Sequence, residues 1–206
     1  SIAKKNKLPF YIRRFDTNRF ARESKLSVQV AARRLRYQWF QELRIQHRYD
    51  FIAMGHNKND LVETFMINIM RGTGLKGVTG IKPKNNSVVR PILFAGREEI
   101  ERYSKQWNVD YREDSSNLET KYTRNRIRHR IIPEFQLLNP RFLETIREDI
   151  ERFQEAYAIY ERAIEREKDE LTFLKGSDLY INISKLNIIT EKKTILFEIL
   201  KSRNFS

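Results

Sequence analysis

Apolar positions along the chain change spacing several times, and each change marks an element. Val28, Ala31, Leu35, Trp39 and Leu43 recur every three or four positions, while Arg33, Arg36 and Arg44 fall on another face. That period predicts an amphipathic helix, with Ser27 as its N-cap. Upstream, Leu8–Phe15 alternates in part and predicts a strand. Phe51-Ile52-Ala53-Met54 is a short unbroken apolar run, the pattern of a parallel strand covered on both faces. Asn57 or Asn59 then starts a second helix, with Leu61, Phe65 and Ile69 facing inward. Val88-Val89 and Ile92-Leu93-Phe94 predict short strands around Pro91. Arg97 to Trp107 reads as a helix with Ile100, Tyr103 and Trp107 on one side.

Strand alternating with helix predicts an α/β domain with a parallel sheet. Its end falls near Leu138, because Asn139-Pro140 is a helix-start signal. Leu143, Ile146, Ile150, Phe153, Tyr157, Ile164 and Leu171 then keep helical spacing, which predicts one long amphipathic helix. Leu179–Ile183 reads as a weak strand or turn, and Glu191–Lys201 as a last helix. The predicted division is therefore an α/β domain over 1–138 and a helical domain over 139–206. The stripe from Leu143 to Leu171 suits either a homodimer or packing inside one chain.

Composition narrows the function. The chain carries 40 Lys and Arg against 27 Asp and Glu, a net charge of +13. Residues 1–50 alone hold a net +9, whereas residues 139–170 hold a net −4. A basic body with one acidic segment implies an anionic partner, nucleic acid or nucleotide phosphate. There is no cysteine, so disulfides, thiolate metal sites and cysteine nucleophiles are excluded together. That usage suits a reducing cytoplasm. No apolar run approaches the ~18 residues of a membrane span, and Ser1–Lys7 lacks a signal-peptide core.

Two polar clusters flank the helix that follows Met54. At its start stand Gly55, His56, Asp60 and Glu63. The two acids are three apart and near one another on the first turn. Such a pair suits a magnesium ion or a substrate ammonium, and acids there also simply complement the helix dipole. His56 suits a local hydrogen bond as well as a ligand role. At the helix end stands Arg71-Gly72-Thr73-Gly74. A guanidinium, a hydroxyl and backbone donors there suit an anion, and Gly72 also suits a plain C-cap. In an open α/β fold, loops at the sheet edge bind nucleotides. A third dense stretch, Arg112–Arg130, holds an Asp114-Ser115-Ser116-Asn117 turn and two pairs four apart, Arg124/Arg128 and Arg126/Arg130. On a helix these make two basic rows, with Tyr122 nearby, which suit a phosphate backbone.

Together these elements resemble a known family. G-H-N-K-N-D-L-V-E-T, R-G-T-G-L-K-G-V-T-G-I, R-P-I-L and E-D-S-S-N…Y-T-R-N-R-I-R look like the tRNA(Ile)-lysidine synthetases, in order and in spacing, over most of residues 8–138. The resemblance implies a Rossmann-like, parallel-sheet fold of the N-type ATP pyrophosphatase (adenine nucleotide alpha hydrolase-like) class, followed by a small helical domain. It implies that ATP, with Mg2+, adenylates the C2 oxygen of the wobble cytidine in an isoleucine tRNA with a CAU anticodon. Free L-lysine then displaces AMP. Carried over by position, Gly55, His56, Arg36, Arg71, Gly72, Thr73 and Gly74 would serve the nucleotide. Asp60 and Glu63 would be the catalytic or lysine-orienting acids, and Arg124, Asn125 and Arg128 would serve the active-site mouth or the tRNA. No metal ligand set is assigned.

Two departures stand out. The family's aspartate before Asp60 is Asn59 here, which predicts one charge fewer at the site. The family's S-G-G-x-D-S pyrophosphate loop is not in the sequence, and Ser1–Lys7 leaves no room for a strand–loop–helix opening. The chain thus reads as a fragment of a longer enzyme, inactive by itself. Two rival readings are a non-catalytic basic RNA-binding module and another tRNA-modifying ATP pyrophosphatase. Among the latter, the 2-thiocytidine enzymes use cysteines, which this chain lacks.

Overall fold

A computed structural model describes residues 2–109, 111 and 123–201. It divides into two compact units, residues 1–54 with 83–91, and residues 55–82 with 92–206.

The first unit holds helices α1 (Ile2–Lys5), α2 (Thr17–Glu23) and α3 (Val28–Gln46) and strands β1 (Ile52–Ala53), β2 (Lys84–Asn85) and β3 (Val88–Val89). Ser27 caps α3, its hydroxyl accepting the Val30 N–H at 3.3 Å. Ala31 is buried on the expected stripe, but Val28 is exposed. The sheet has the order β1-β3-β2, with β1 parallel to β3 and β2 antiparallel to it. Ile52 pairs with Val88 and Ala53 with Val89. The parallel pairing expected of the Phe51 run is therefore present, but its double cover is not: Ile52 is half-buried and Ala53 exposed.

Two expected strands are corrected. Leu8–Phe15 carries no ladder, and its Phe10 and Ile12 are 66 % and 76 % exposed. A strand needs a neighbour for its N–H and C=O groups, and the described sheet offers this segment none. Ile92–Phe94 forms a turn instead. Only Leu93 of the three is buried, so it plugs a core from a turn rather than from a ladder.

The second unit holds α4 (Lys58–Met70), α5 (Leu75–Val78), α6 (Arg97–Gln106), α7 (Thr123–Arg126), a π-helical turn at Ile127–Ile131, α8 (Ile132–Leu138), α9 (Phe142–Leu171), the hairpin β4 (Thr172–Lys175) and β5 (Asp178–Ile181), α10 (Ile183–Ile188) and α11 (Lys192–Lys201). The hairpin and α10 were legible only as a weak strand or turn. The long helix starts two residues past Pro140, with Arg141 as N-cap.

Helix α4 supplies two cores from adjacent positions. Leu61 and Phe65 pack with Leu93 and Ile150, while Val62 packs with Ile127, Ile132 and Phe142. Ile69 is exposed, against expectation. Gly80 sits at φ +59°, and a Cβ there would meet Leu61 Cδ1 at 3.0 Å, so a side chain is excluded both by conformation and by the closeness of α4. The stripe of α9 is taken up within the chain. Ile150 serves the cluster with Leu61, and Ile164 and Leu171 join Leu186, Ile195 and Ile199. Tyr103 and Trp107 of the α6 side are 60 % and 63 % exposed, so that face is not covered.

Candidate active site

The site is built on the first turn of α4. Asn57 is the N-cap: its Oδ1 accepts the Asp60 N–H at 3.0 Å, and Asp60 Oδ2 accepts the Asn57 N–H at 3.1 Å. This reciprocal box fixes the Asp60 carboxylate in place. One turn further, Glu63 is wholly buried, at 0 % exposure. Burying a carboxylate without a partner is very costly, so the partners define the site.

Those partners come from α7 and the π-helical turn. Arg128 grips Glu63 with two donors, Nε to Oε1 at 2.6 Å and Nη2 to Oε2 at 3.0 Å. The same Nη2 lies 3.4 Å from Asp60 Oδ1. A two-pronged guanidinium–carboxylate contact is the strongest and most directional ion pair available to side chains. The hydrogen bond to Glu63, set against the cost of burial, raises the Arg128 pKa further above its usual range. Arg124 Nε lies 2.9 Å from Glu63 Oε2, but its N–H finds no acceptor at a hydrogen-bonding angle. That contact is Coulombic. Its Nη2 donates to the Thr64 hydroxyl at 2.9 Å, and Thr64 donates to the Asp60 carbonyl at 2.8 Å.

The local sequence explains this arrangement. Arg124 and Arg128 are four apart, which puts them on one side of the α7–π segment. Ile127, fully buried against Val62, anchors that segment on α4. The Ile132 N–H reaches back five residues to the Ile127 carbonyl, the wide turn often found where a side chain must be re-aimed. Arg126 and Arg130 remain exposed. Asn125 is buried, at 8 % exposure. The Asp114–Asn117 turn and Tyr122 lie outside the described residues.

Of the other expected site residues, Gly55 and His56 directly precede the Asn57 cap. Gly55 is exposed, and a Cβ there would meet nothing within 4 Å; His56 is half-buried. Arg71 is the C-cap of α4, at the far end from Asp60. Eleven residues at the helical rise separate the two by roughly 16 Å. The acids and the Arg71-Gly72-Thr73-Gly74 turn thus stand at the two ends of one helix. Arg36 is exposed on α3, in the first unit.

Asn59 has a different task from the one feared. Its Oδ1 accepts the Arg97 N–H at 2.9 Å, so it caps α6 and points away from the acid pair. Several participants were missed from sequence. Lys58 Nζ reaches Glu144 at 2.8 Å, 86 residues away, and ties α9 to the first turn of α4. Arg147 and Lys58 together pull the Glu144 carboxyl from 4.5 to about 2. Gly77 was also missed: a Cβ there would meet Thr73 Oγ1 at 1.6 Å, so Gly77 is what lets Thr73 lie where it does. Thr64 and the Lys58–Glu144 pair give no local signal. Gly77 does, as one of the glycines spaced through residues 72–80.

Among the described residues no group of three or more His, Asp or Glu is arranged to hold a metal. Glu63 is buried and held by two guanidiniums, which leaves Asp60 as the one accessible carboxylate of the pair, so the pair does not fit a magnesium ion. No helix of the described residues is long and apolar enough to cross a membrane.

Comparison with known proteins adds lineage to this geometry. A family model described as a PP-loop domain matches residues 1–135. The tRNA(Ile)-lysidine synthase of Bacteroides thetaiotaomicron is 36% identical over 205 residues, covering 100% of this chain and 47% of the relative. That of Parabacteroides distasonis is 37% identical over 205 residues, again 100% of this chain and 46% of the relative. That of Thermosipho africanus is 41% identical over 145 residues, 70% of this chain and 34% of the relative. The chain spans about half the length of the first two of these curated relatives. With the family match running over most of its residues, this chain belongs to the PP-loop domain family.

Proposed function

We propose that the chain is part of a tRNA(Ile)-lysidine synthase, a cytoplasmic ATP-dependent carbon–nitrogen ligase acting on tRNA. The division into a Rossmann-like α/β domain over 1–138 and a helical domain over 139–206 belongs to this reading. The end of the family match at residue 135 supports that boundary. The single observation that carries the chemistry is the two-carboxylate, two-guanidinium cluster at the start of α4, in a chain whose relatives bear that enzyme's name.

The reaction has two steps. The C2 oxygen of the wobble cytidine attacks the α-phosphorus of ATP, and pyrophosphate leaves. The lysine amine nitrogen then forms a bond to C2, and the C2–O bond breaks as AMP departs with the oxygen. A cytosine carbonyl is a poor electrophile until its oxygen becomes such a leaving group. The amine arrives as an ammonium and must lose protons on the way, so a carboxylate near it both positions it and accepts one.

The two acids divide this work by accessibility. Glu63 is sealed from solvent and clamps Arg128, so it acts as a positioning residue. The Asp60 side chain retains 16 % exposure and only a long contact to Arg128, so it is the acid that meets the amine. Arg124 and Arg128 border the same place and, with Asn125 of the same segment, are assigned to the tRNA or the adenylylated base. Gly55, His56, Arg36, Arg71, Gly72, Thr73 and Gly74 are assigned to the nucleotide. Mg2+ accompanies ATP in this reading, but the described carboxylates do not form its site, and no step is derived through it.

The test uses the full-length protein with ATP, isoleucine tRNA and labelled lysine. Asp60→Asn and Glu63→Gln are expected to incorporate less than a hundredth of the wild-type label, while retaining the wild-type thermal midpoint within a few degrees. Normal incorporation by both variants would remove the assignment.

A further inference from the structure

The first unit carries a second feature that none of this chemistry uses. The rings of Tyr11 and His47 lie 4.6 Å apart at 31°, and those of His47 and Tyr49 lie 5.6 Å apart at 30°. Tyr11 OH is 3.3 Å from His47 Nδ1 and also hydrogen-bonds Tyr49, while His47 Nε2 has no hydrogen-bond partner among the described residues, so the three rings form one cluster held by ring contact and by the Tyr11 hydroxyl. The outer rings are open to solvent, Tyr11 at 36 % and Tyr49 at 43 %, and Phe51 beside them in sequence is 51 % exposed with Lys84 Nζ 4.9 Å over its ring.

The contributing segments are strongly cationic. Along the chain Arg13, Arg14, Arg44, Arg48 and Lys84 have Asp16, Glu42 and Asp50 as neighbouring acids, and Glu42 is taken by Arg13. Arg48 occupies an unfavourable backbone position. It stands at φ +54° just past the end of α3, where the Tyr49 N–H closes back on the Arg44 carbonyl at 2.9 Å. This is the left-handed cap position that glycine fills without strain. The helix dipole accounts for a positive charge near Arg48, but not for the exposed rings on either side of it.

We propose that the Tyr11–His47–Tyr49 column, with Arg48 and Lys84, binds unpaired nucleotides of an RNA. Aromatic faces accept any base by stacking, and the surrounding cations meet the phosphates. The His47 and Tyr49 rings are already stacked and Tyr11 leans on them, so little side-chain freedom is lost when a base joins them. This rests on the reading of the protein as an enzyme of tRNA, and adds a contact surface outside the acid–arginine cluster.

The experiment measures binding of the full-length protein to a fluorescent isoleucine tRNA, to a single-stranded RNA 12-mer and to an RNA duplex of the same length, across a salt series. Arg48→Gly is the informative variant, because it is expected to raise the thermal midpoint while weakening binding to tRNA and 12-mer at least fivefold and lowering the salt slope by about one. Tyr49→Ala is expected to weaken the 12-mer at least fivefold, and Tyr49→Phe to restore it. Wild-type affinity in both Arg48→Gly and Tyr49→Ala, or a duplex bound as tightly as the 12-mer, would overturn the proposal. Failure of the wild-type protein to incorporate lysine, with tRNA and 12-mer bound and the variants weakened as expected, is a failure of the catalytic reading and leaves this surface standing.

Discussion

The two ends of helix α4 are built on opposite plans. At its start, most polar groups are paired: Asn57 and Asp60 cap each other, Arg128 grips Glu63, and Lys58 reaches across to Glu144, while Asp60 Oδ1 keeps only a 3.4 Å contact to Arg128. At its end, Arg71, Gly72, Thr73 and Gly74 are all exposed, and neither Gly72 nor Gly74 has an atom within 4 Å of where a Cβ would be. The difference teaches that two polar motifs flanking one helix can differ widely in how far their groups are already paired. One end is a preformed charge cluster suited to orienting a small cation. The other is an open backbone turn suited to close approach of a larger anion.

The contrast breaks first at Glu63. Glu63→Ala leaves Arg128 partly buried with its main partner gone and is expected to cost about 3–5 kcal/mol of stability. Urea unfolding checks this; a loss below about 1 kcal/mol would mean that the start of α4 is not held by the ion pair. Glu63→Gln, which keeps volume and one acceptor, is expected to cost less.

Gly80→Ala comes next. It forces a Cβ into the left-handed region and against Leu61, for an expected loss of about 1–2 kcal/mol, read in the same assay.

A smaller effect is expected from acid. The Glu144 carboxyl is lowered from 4.5 to about 2, so its contribution is present above pH ~4.5 and is lost as pH falls toward about 2. Because its side chain is 29 % exposed, solvent screening leaves about 1 kcal/mol. Glu144→Gln is expected to remove that part of the acid limb. An unchanged acid limb in a stability–pH profile would contradict the pairing of Glu144 with Arg147 and Lys58.

The smallest effect belongs to the open end. Gly74→Ala is expected to change stability by no more than about 0.5 kcal/mol, because the added methyl meets nothing. A larger loss would show that the turn is not open.

Much of the frame was legible because its causes are local. Ser27 and Asn57 cap helices through bonds three residues long, and the α9 stripe needs only its own period. The acid pair and the arginine pair were each visible for the same reason. Their union was not, because Arg128 and Glu63 stand 65 residues apart and no periodicity encodes which charge a guanidinium will find. The two overturned strands failed likewise: Leu8–Phe15 and Ile92–Phe94 have apolar content, but a ladder is decided by a partner elsewhere in the chain. Asn59 means one charge fewer by the family pattern, but nothing local shows that its side chain accepts the Arg97 N–H at the start of α6.

The most direct measurement is steady-state lysine dependence in the full-length Asp60→Asn enzyme, with tRNA adenylylation followed in parallel. The expected result is a KM for L-lysine raised at least tenfold, with adenylylation within twofold of wild type. An unchanged KM with adenylylation lost would place Asp60 at the nucleotide and contradict the amine site at the start of α4.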